Sequence, residues 1–332
     1  MPRLLAAPDK FRGTATAPEA AAAIVRAAQR AGWDARALPI SDGGEGLVDC
    51  FGGPNEYTDV SGPLGAPVRA GWRLDDDVAV LEMAAASGIA LVGERNHPMT
   101  ATTHGTGQLI RAAIDAGART VIVGAGGSAT TDGGSGTVDV LRDRAPLDGS
   151  RGVSVIVAAD VRTTFVAAAE TFARQKGATD AQVTALTTRL EALADDYLAE
   201  FGGAIADLPG SGAAGGLGGG LAALGATIRP GFEVVAERLD LAAAVRAADL
   251  VITGEGRLDP TSLAGKATGS MIELCSSHGV RAAAIAGQIA ADFRPPFPVV
   301  ELVQLCGAEA AWSETVGCIE RATAGLLDLG TR

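Results

Sequence analysis

Both ends of the chain repeat one pattern, in which a short apolar run leads into a helical stretch and then into another apolar run. Arg3–Ala7 is the first such run, stopped by Pro8-Asp9. Thr16-Ala17-Pro18-Glu19 is a capping box with proline inside the first turn, so it opens a helix. The alanine-rich stretch that follows continues to Ala31, and Gly32 is a natural stop. Asp34–Ile40 is the second strand. Beyond Gly225 the pattern returns, with Asp249–Thr253, Arg281–Ala286 and Val299–Leu305 as β-rich runs separated by helical segments. Strands alternating with helices imply a mostly parallel sheet covered on both faces. Two N-terminal strands cannot make such a sheet alone. The pattern therefore predicts an α/β protein of two domains. Residues 1–53 and 236–332 form a discontinuous, Rossmann-like parallel-sheet domain, and residues 54–235 form an inserted α/β domain with a mixed sheet.

Within the insertion, Gly/Pro turns separate Pro67–Leu74 from Val78–Met83, which suits antiparallel strands. A helix follows Thr106 and ends at Gly117. Thr120–Val123 and Val153–Ala159 are further strands. Thr179 with Gln182 makes a second capping box. After it Val183, Leu186, Leu190, Leu193, Tyr197 and Phe201 recur at helical spacing, a stripe expected to pack into a core.

Composition removes several classes of function. Lys plus Arg is 27 against 39 Asp plus Glu, a formal charge of −12, which repels nucleic acid and anionic membrane surfaces. Aromatic residues make up 4%, too few for base-stacking platforms. The four cysteines (Cys50, Cys275, Cys306 and Cys318) are scattered, and no His or Cys has metal-ligand spacing. No run resembles a signal peptide or a membrane span. The expectation is a soluble cytoplasmic protein, monomer or homodimer, with no nucleic-acid or membrane partner.

The loops after the strands carry the chemistry. Asp9, Asp42 with its glycines, Gly124–Gly134, Asp160 and Gly254–Asp259 each follow a strand, where parallel sheets bind ligands. Glycines admit an anion to backbone N–H groups, carboxylates suit Mg²⁺, and Lys10, Arg12, Arg257 and Lys266 supply positive charge. Together these are the parts of phosphoryl transfer. Taken singly, each has an ordinary reading as a turn, an N-cap or a solvated lysine. Gly210–Gly215 satisfies the dinucleotide pattern GxGxxG, the basis of a weaker reading as an NAD-dependent dehydrogenase. It does not follow a strand, because Asp207-Leu208-Pro209 interrupts the approach. Gly265-Lys266 is not a phosphate-binding P-loop, since Pro260 stands where its first glycine belongs and Ala267 replaces Ser/Thr. His104 sits beside the Gly105-Thr106-Gly107 loop, where it can line a site.

The ordered series of loops resembles the bacterial glycerate kinase family. Ala7–Gly13 (APDKFRG) is similar to that family's APDSFKG, and Ile40–Gly46 to its ADGGEG. Glu82–Gly88 resembles its apolar-then-glycine segment. Thr103–Gly107 and Gly126–Gly134 resemble its YGTGELI and GGSATNDGG. Gln175–Ala178, Pro209–Gly218 and Ala248–Asp259 with Gly265-Lys266 resemble its PQKGA, PGAGAAGGLG and ADLVITGEGRID followed by GK. The departures are Lys10 and Arg12 in place of Ser and Lys, Thr131 in place of Asn, and Asp160–Phe165 without the family's DVxNPLxG run. Between Leu141 and Val153 the chain is several dozen residues shorter.

The resemblance implies transfer of the γ-phosphate of ATP to a hydroxyl of D-glycerate, giving 2- or 3-phosphoglycerate, with the active site in the cleft between two α/β domains. It assigns catalytic roles to Asp42, Asp160, Arg257, Asp259 and Lys266, with Asp42 and Asp160 as Mg²⁺ ligands. Asp9, Lys10, Arg12, Gly43, Gly44, Glu45, Gly126, Gly127, Ser128, Thr130, Asp132 and Glu255 would bind substrate or phosphate. A non-catalytic nucleotide- or anion-binding paralogue of the same fold is the alternative, motivated by the altered Asp160–Phe165 run.

Overall fold

A computed structural model describes residues 1–11, 13–263 and 265–330, so Arg12 lies outside the described residues. In chain order its strands are β1 (Arg3–Ala6), β2 (Asp34–Ala37), β3 (Glu56–Ser61), β4 (Pro67–Asp75), β5 (Val78–Glu82), β6 (Thr120–Gly124), β7 (Ser154–Ala159), β8 (Thr227–Pro230), β9 (Leu250–Leu258), β10 (Arg281–Ile289) and β11 (Val299–Glu301). The chain divides into two compact units, Met1–Asp42 with Phe232–Arg332, and Gly43–Gly231.

The first unit is built on a five-stranded sheet of order β11-β10-β9-β1-β2 in which every pairing is parallel. The N-terminal strand β1 lies between β2 and β9, with Leu5 opposite both Arg36 and Val251. The two ends of the sequence thus share one sheet. Helix Ala17–Arg30 covers one face and buries Ala20, Ala21, Ala23, Ile24 and Ala28, small side chains that let it lie close. Its capping box forms as the sequence predicts. Thr16 N donates to Glu19 Oε2 at 2.8 Å, and Glu19 N donates to Thr16 Oγ1 at 3.3 Å. A cap of this kind contributes about 1 kcal/mol. Arg26 and Arg30 then fork onto Glu320 of helix Thr315–Gly330. On the other face Leu5, Ile40, Val251 and Met271 make a second core.

The second unit has a six-stranded mixed sheet, β3-β4-β5-β6-β7-β8. β3–β4 and β4–β5 are antiparallel, whereas β5 through β8 run parallel. Its core includes Leu81, Val121, Val123, Val157, Leu109 and Ile110. The stripe on helix Asp180–Phe201 belongs to this core, with Val183, Leu186, Leu190 and Tyr197 buried and Leu193 and Phe201 packed against them.

Several details differ from the sequence reading. Gly254–Asp259 is not a loop after a strand: β9 runs on to Leu258, and Glu255 and Arg257 pair with Ala286 and Gln288 of β10. Val299–Leu305 is not one strand: β11 stops at Glu301, and Leu302–Cys306 is helical with Leu302 fully buried. The edge strands β3 and β8 carry no strong apolar alternation, so the sequence does not mark them as strands. The short connector after Leu141 is tied into the fold. Leu147 is buried, its N–H donates to Leu224 O at 2.7 Å, and its carbonyl accepts from Val155 N at 2.9 Å.

Candidate active site

In the first unit, the chain leaving β1 keeps its register beyond the strand. Asp9 N donates to Gly254 O at 2.8 Å, and Ile40 N donates to Pro8 O at 3.0 Å. These bonds carry Asp9 and the Ile40–Asp42 segment to the carboxyl edge of the sheet, beside Glu255. Asp9, just beyond β1, therefore interacts with Asp42, beyond β2, on one side and with Glu255 of β9 on the other, at the edge where parallel sheets bind ligands. Asp9 is buried, and burial pushes its carboxyl up to about 6, with Asp42 adding repulsion and Lys10 opposing. Lys10 Nζ lies 3.7 Å from Asp9 Oδ1. Burial likewise pushes Glu255 up to about 7; Asp9 adds to the rise, while the Ser262 and Thr268 hydroxyls and Lys266 pull it down. Glu255 Oε1 is buried without a hydrogen-bond partner. An unpaired buried carboxylate oxygen is costly, and such groups concentrate where a ligand is to be met.

Asp259 plays a different part. Its Oδ1 accepts from Thr261 N at 2.8 Å and Thr261 Oγ1 at 2.6 Å, which holds its carboxyl below the usual range. This side chain closes the Pro260–Leu263 turn. Lys266 follows as the N-cap residue of helix Ala267–Ser277, and Arg257 is exposed.

In the second unit the glycines of two loops serve close packing. A Cβ on Gly126 would fall 2.7 Å from Gly44 Cα, and one on Gly43, at φ +91°, would fall 2.8 Å from Gly231 Cα. Glu82 anchors the 43–46 loop, accepting from Gly46 N at 3.0 Å and Val48 N at 2.9 Å. Glu45 and Asp160 are exposed. Ala125, Gly126, Gly127, Ser128, Asp160 and Lys176 contribute to the wall of a cavity of about 160 Å³. That cavity joins the glycine loop to the end of β7.

Lys176 is a buried cation in this wall to which the sequence reading gave no role of its own. It is 5% exposed, its Nζ donates to Thr130 O at 2.6 Å, and burial lowers it to about 8. Asn96 ties the same two segments, donating from Nδ2 to Ala129 O at 3.0 Å and to Lys176 O at 2.9 Å. The signal in the sequence is the resemblance of Gln175–Ala178 to the family's PQKGA motif. Asp132, for which the resemblance implies substrate or phosphate binding, is buried, and Thr103 N (2.8 Å), Thr103 Oγ1 (2.9 Å), Gly134 N (3.2 Å) and Gly136 N (3.4 Å) all donate to it. It organises the start of helix Ser135–Leu141.

Gly210–Gly215 is not preceded by a strand. A Cβ on Gly215 would reach 2.0 Å from Thr130 O, so this glycine admits the neighbouring loop. His104 begins helix His104–Asp115, and all four cysteines are free thiols. Among the described residues, no group of three or more His, Cys, Asp or Glu could hold a metal ion, and no helix is long and apolar enough to cross a membrane.

The model of the glycerate kinase family matches residues 4–145 and 143–301. The chain belongs to the glycerate kinase family. The two matched stretches meet at residues 143–145, in the connector after Leu141. A glycerate kinase of Bacillus subtilis (strain 168) is 40% identical over 328 residues, covering 87% of this chain and 86% of that one. The glycerate 2-kinase of Escherichia coli (strain K12) is 34% identical over 366 residues, covering 98% and 94%. A crystal structure described as glycerate kinase 2 from Salmonella typhimurium LT2 superposes with a TM-score of 0.83 at 30% identity, covering 99% of each chain. As a member of the glycerate kinase family, the protein is a kinase.

Proposed function

We propose that the protein transfers the γ-phosphate of ATP to a hydroxyl of D-glycerate, giving 2-phosphoglycerate or 3-phosphoglycerate. The observation that carries this reading is the carboxylate series in which buried Asp9 interacts with half-buried Asp42 and half-buried Glu255, with Lys10 beside Asp9 and Lys266 acting on Glu255, at the carboxyl edge of the parallel sheet. A hydroxyl nucleophile needs a base whose carboxyl titrates near neutrality, and Glu255, raised to about 7, meets that need. The hydroxyl oxygen bonds to the γ-phosphorus, the bond from that phosphorus to the bridging oxygen breaks, ADP departs, and the proton passes to the carboxylate. Lys10 and Lys266 oppose the negative charge, and the Gly126–Thr130 loop with Lys176 offers an anion seat in the second unit. Arg257, exposed and always charged, would hold the glycerate carboxylate or phosphate oxygens.

Mg²⁺ fits this donor set. It takes oxygen ligands and is commonly held by one or two carboxylates plus the phosphates, so a dedicated cage of three side chains is not required. The unpartnered Glu255 Oε1 and the mutual repulsion of Asp9 and Asp42 mark an excess of negative charge that a cation would relieve. Asp42 is the candidate ligand in the first unit and Asp160 in the second. Bound there, Mg²⁺ would neutralise charge developing on the phosphates.

A coupled ADP-release assay with Mg-ATP and D-glycerate tests the proposal. Wild-type turnover that falls by orders of magnitude in Asp42→Asn and Lys266→Ala, with folding stability kept, supports it. Wild-type rates in both variants contradict the assignment.

A further inference from the structure

One segment of the second unit grips two glycine loops at once. Beyond β5 the backbone of residues 83–89 runs beside the loop that follows β6. Met83 N donates to Gly124 O at 3.0 Å, Ile89 N donates to Gly127 O at 2.8 Å, and Ala129 N donates to Ser87 O at 3.0 Å. Gly88 and Ser128 form a bridge between the last two of these bonds.

The other loop is held by a side chain. Glu82, the last residue of β5, reaches chain 36 and 34 residues earlier, where its Oε1 accepts from Gly46 N at 3.0 Å and Val48 N at 2.9 Å. Gly46 is the N-cap residue of helix Leu47–Cys50, at φ +89°, and makes no side-chain cap of its own. Glu82 therefore supplies from β5 the acceptor that the local sequence lacks.

The two loops meet through glycines. A Cβ on Gly126 would fall 2.7 Å from Gly44 Cα and 3.2 Å from Glu45 N, and one on Gly124 would fall 2.9 Å from Gly43 O. Glu82 Cγ lies at the same seam, 3.5 Å from that position on Gly124. Backbones packed this closely transmit a displacement instead of absorbing it. A Gly43–Gly46 loop released from Glu82 would carry away the face on which Gly126 rests. Stability alone is a poor reason for a carboxylate here. Burial pushes Glu82 up, the Val48 and Gly46 amides pull it back, and Asp49 and Glu45 repel its charge. What the group secures is direction, since one oxygen shared by two fixed N–H groups defines where the loop sits.

We propose that Glu82 is a positioning residue for phosphoryl transfer, which sets the place of the Gly126–Thr130 anion seat by holding the Gly43–Gly46 loop against Gly126. It acts through the two loops and not on the reacting atoms. The inference rests on the reading of the Gly126–Thr130 loop as an anion seat in an ATP-dependent kinase.

The test compares Glu82→Ala with Glu82→Gln in the whole protein, by amide NMR spectra and by steady-state turnover of Mg-ATP and D-glycerate. Glutamine keeps an oxygen acceptor at the same reach and gives up the charge. In Glu82→Ala, amide hydrogen exchange should quicken at Gly46 and Val48, and the resonances of Gly126, Gly127 and Ser128 should move. Its kcat per folded molecule, with the folded fraction read from urea unfolding, should fall by about 10²-fold, as small misplacements around a reacting centre do. Glu82→Gln should keep the wild-type resonances of residues 126–128 and most of the turnover. Should Glu82→Ala fail to fold, Glu82→Asp, whose shorter arm withdraws the carboxylate from both amides, is read in the same way. Unmoved 126–128 resonances overturn the inference, as does a kcat that falls only in step with the folded fraction, or a glutamine variant no better than alanine. Wild-type protein that transfers nothing to glycerate contradicts the kinase reading, and the spectra still decide whether Glu82 places the seat.

Discussion

Lys176 Nζ donates to the carbonyl of Thr130 at 2.6 Å, locking a helical segment to the glycine loop 46 residues away in sequence. The lysine is buried near Asp132, whose charge raises its proton affinity only in part against the desolvation that lowers it to about 8. Its unfolded value is about 10.4. Between those values the unfolded chain binds more protons, so this group makes stability rise with pH. Wild type should gain stability relative to Lys176→Met as pH climbs from 8 to 10, read from urea unfolding at each pH. A constant difference contradicts the buried, depressed lysine.

The Asp9–Glu255 pair titrates in the opposite sense. Both carboxyls are raised, to about 6 and about 7, by burial first. The folded state holds its protons longer than the unfolded chain, so this contribution to stability is full below the unfolded values near 4 and is lost as pH rises through 6 to 7. Glu255→Gln should therefore be more stable than wild type at pH 8 and equal to it near pH 4. Activity follows the deprotonated form and should rise from pH 6 to above 7. Loss of a general base costs about 10²–10⁴-fold, which Glu255→Gln should show in kcat. A stable variant with wild-type kcat and an unmoved acid limb would remove Glu255 from the base role.

Asp132 and Asp259 should separate structure from function. Asp132→Ala strands four donors in a buried setting, and at 1–3 kcal/mol for each unsatisfied group the variant should lose roughly 3 kcal/mol or more of stability. Its guanidinium-chloride midpoint should fall accordingly, and any activity loss should track the unfolded fraction. Asp259→Ala touches an exposed turn, so its midpoint should barely move.

Thr16→Ala removes one half of the first capping box and should cost about 1 kcal/mol, with kcat and KM unchanged because helix Ala17–Arg30 carries no site residue. A thermal melt and one kinetic run check both halves of this statement.

Much of the fold could be read from local rules. The capping boxes at Thr16 and Thr179 form as spaced, and the 183–201 stripe packs into a core because its period is that of a helix. The sharing of one sheet by the two chain ends followed from counting strands. What escaped was decided by distant partners. Glu301 is the last residue of β11, and its Oε1 accepts from Ile289 N at 2.9 Å just where the chain turns into a helix. Gly215 reads as part of a nucleotide fingerprint, but Thr130 O is what requires a residue without Cβ. The surroundings of Asp132 and Lys176 escaped for the same reason. The donors on Asp132 come from Thr103 as well as from its own loop, and the burial of Lys176 depends on Thr130. No spacing rule encodes either.

The most direct test of the central claim is phosphorus NMR of the reaction of wild-type protein with Mg-ATP and D-glycerate. The account predicts ADP together with one new phosphomonoester resonance, at the 2- or the 3-position, absent when glycerate is omitted. ATP consumed only to inorganic phosphate, or left intact by a protein that binds it, would contradict phosphoryl transfer to glycerate.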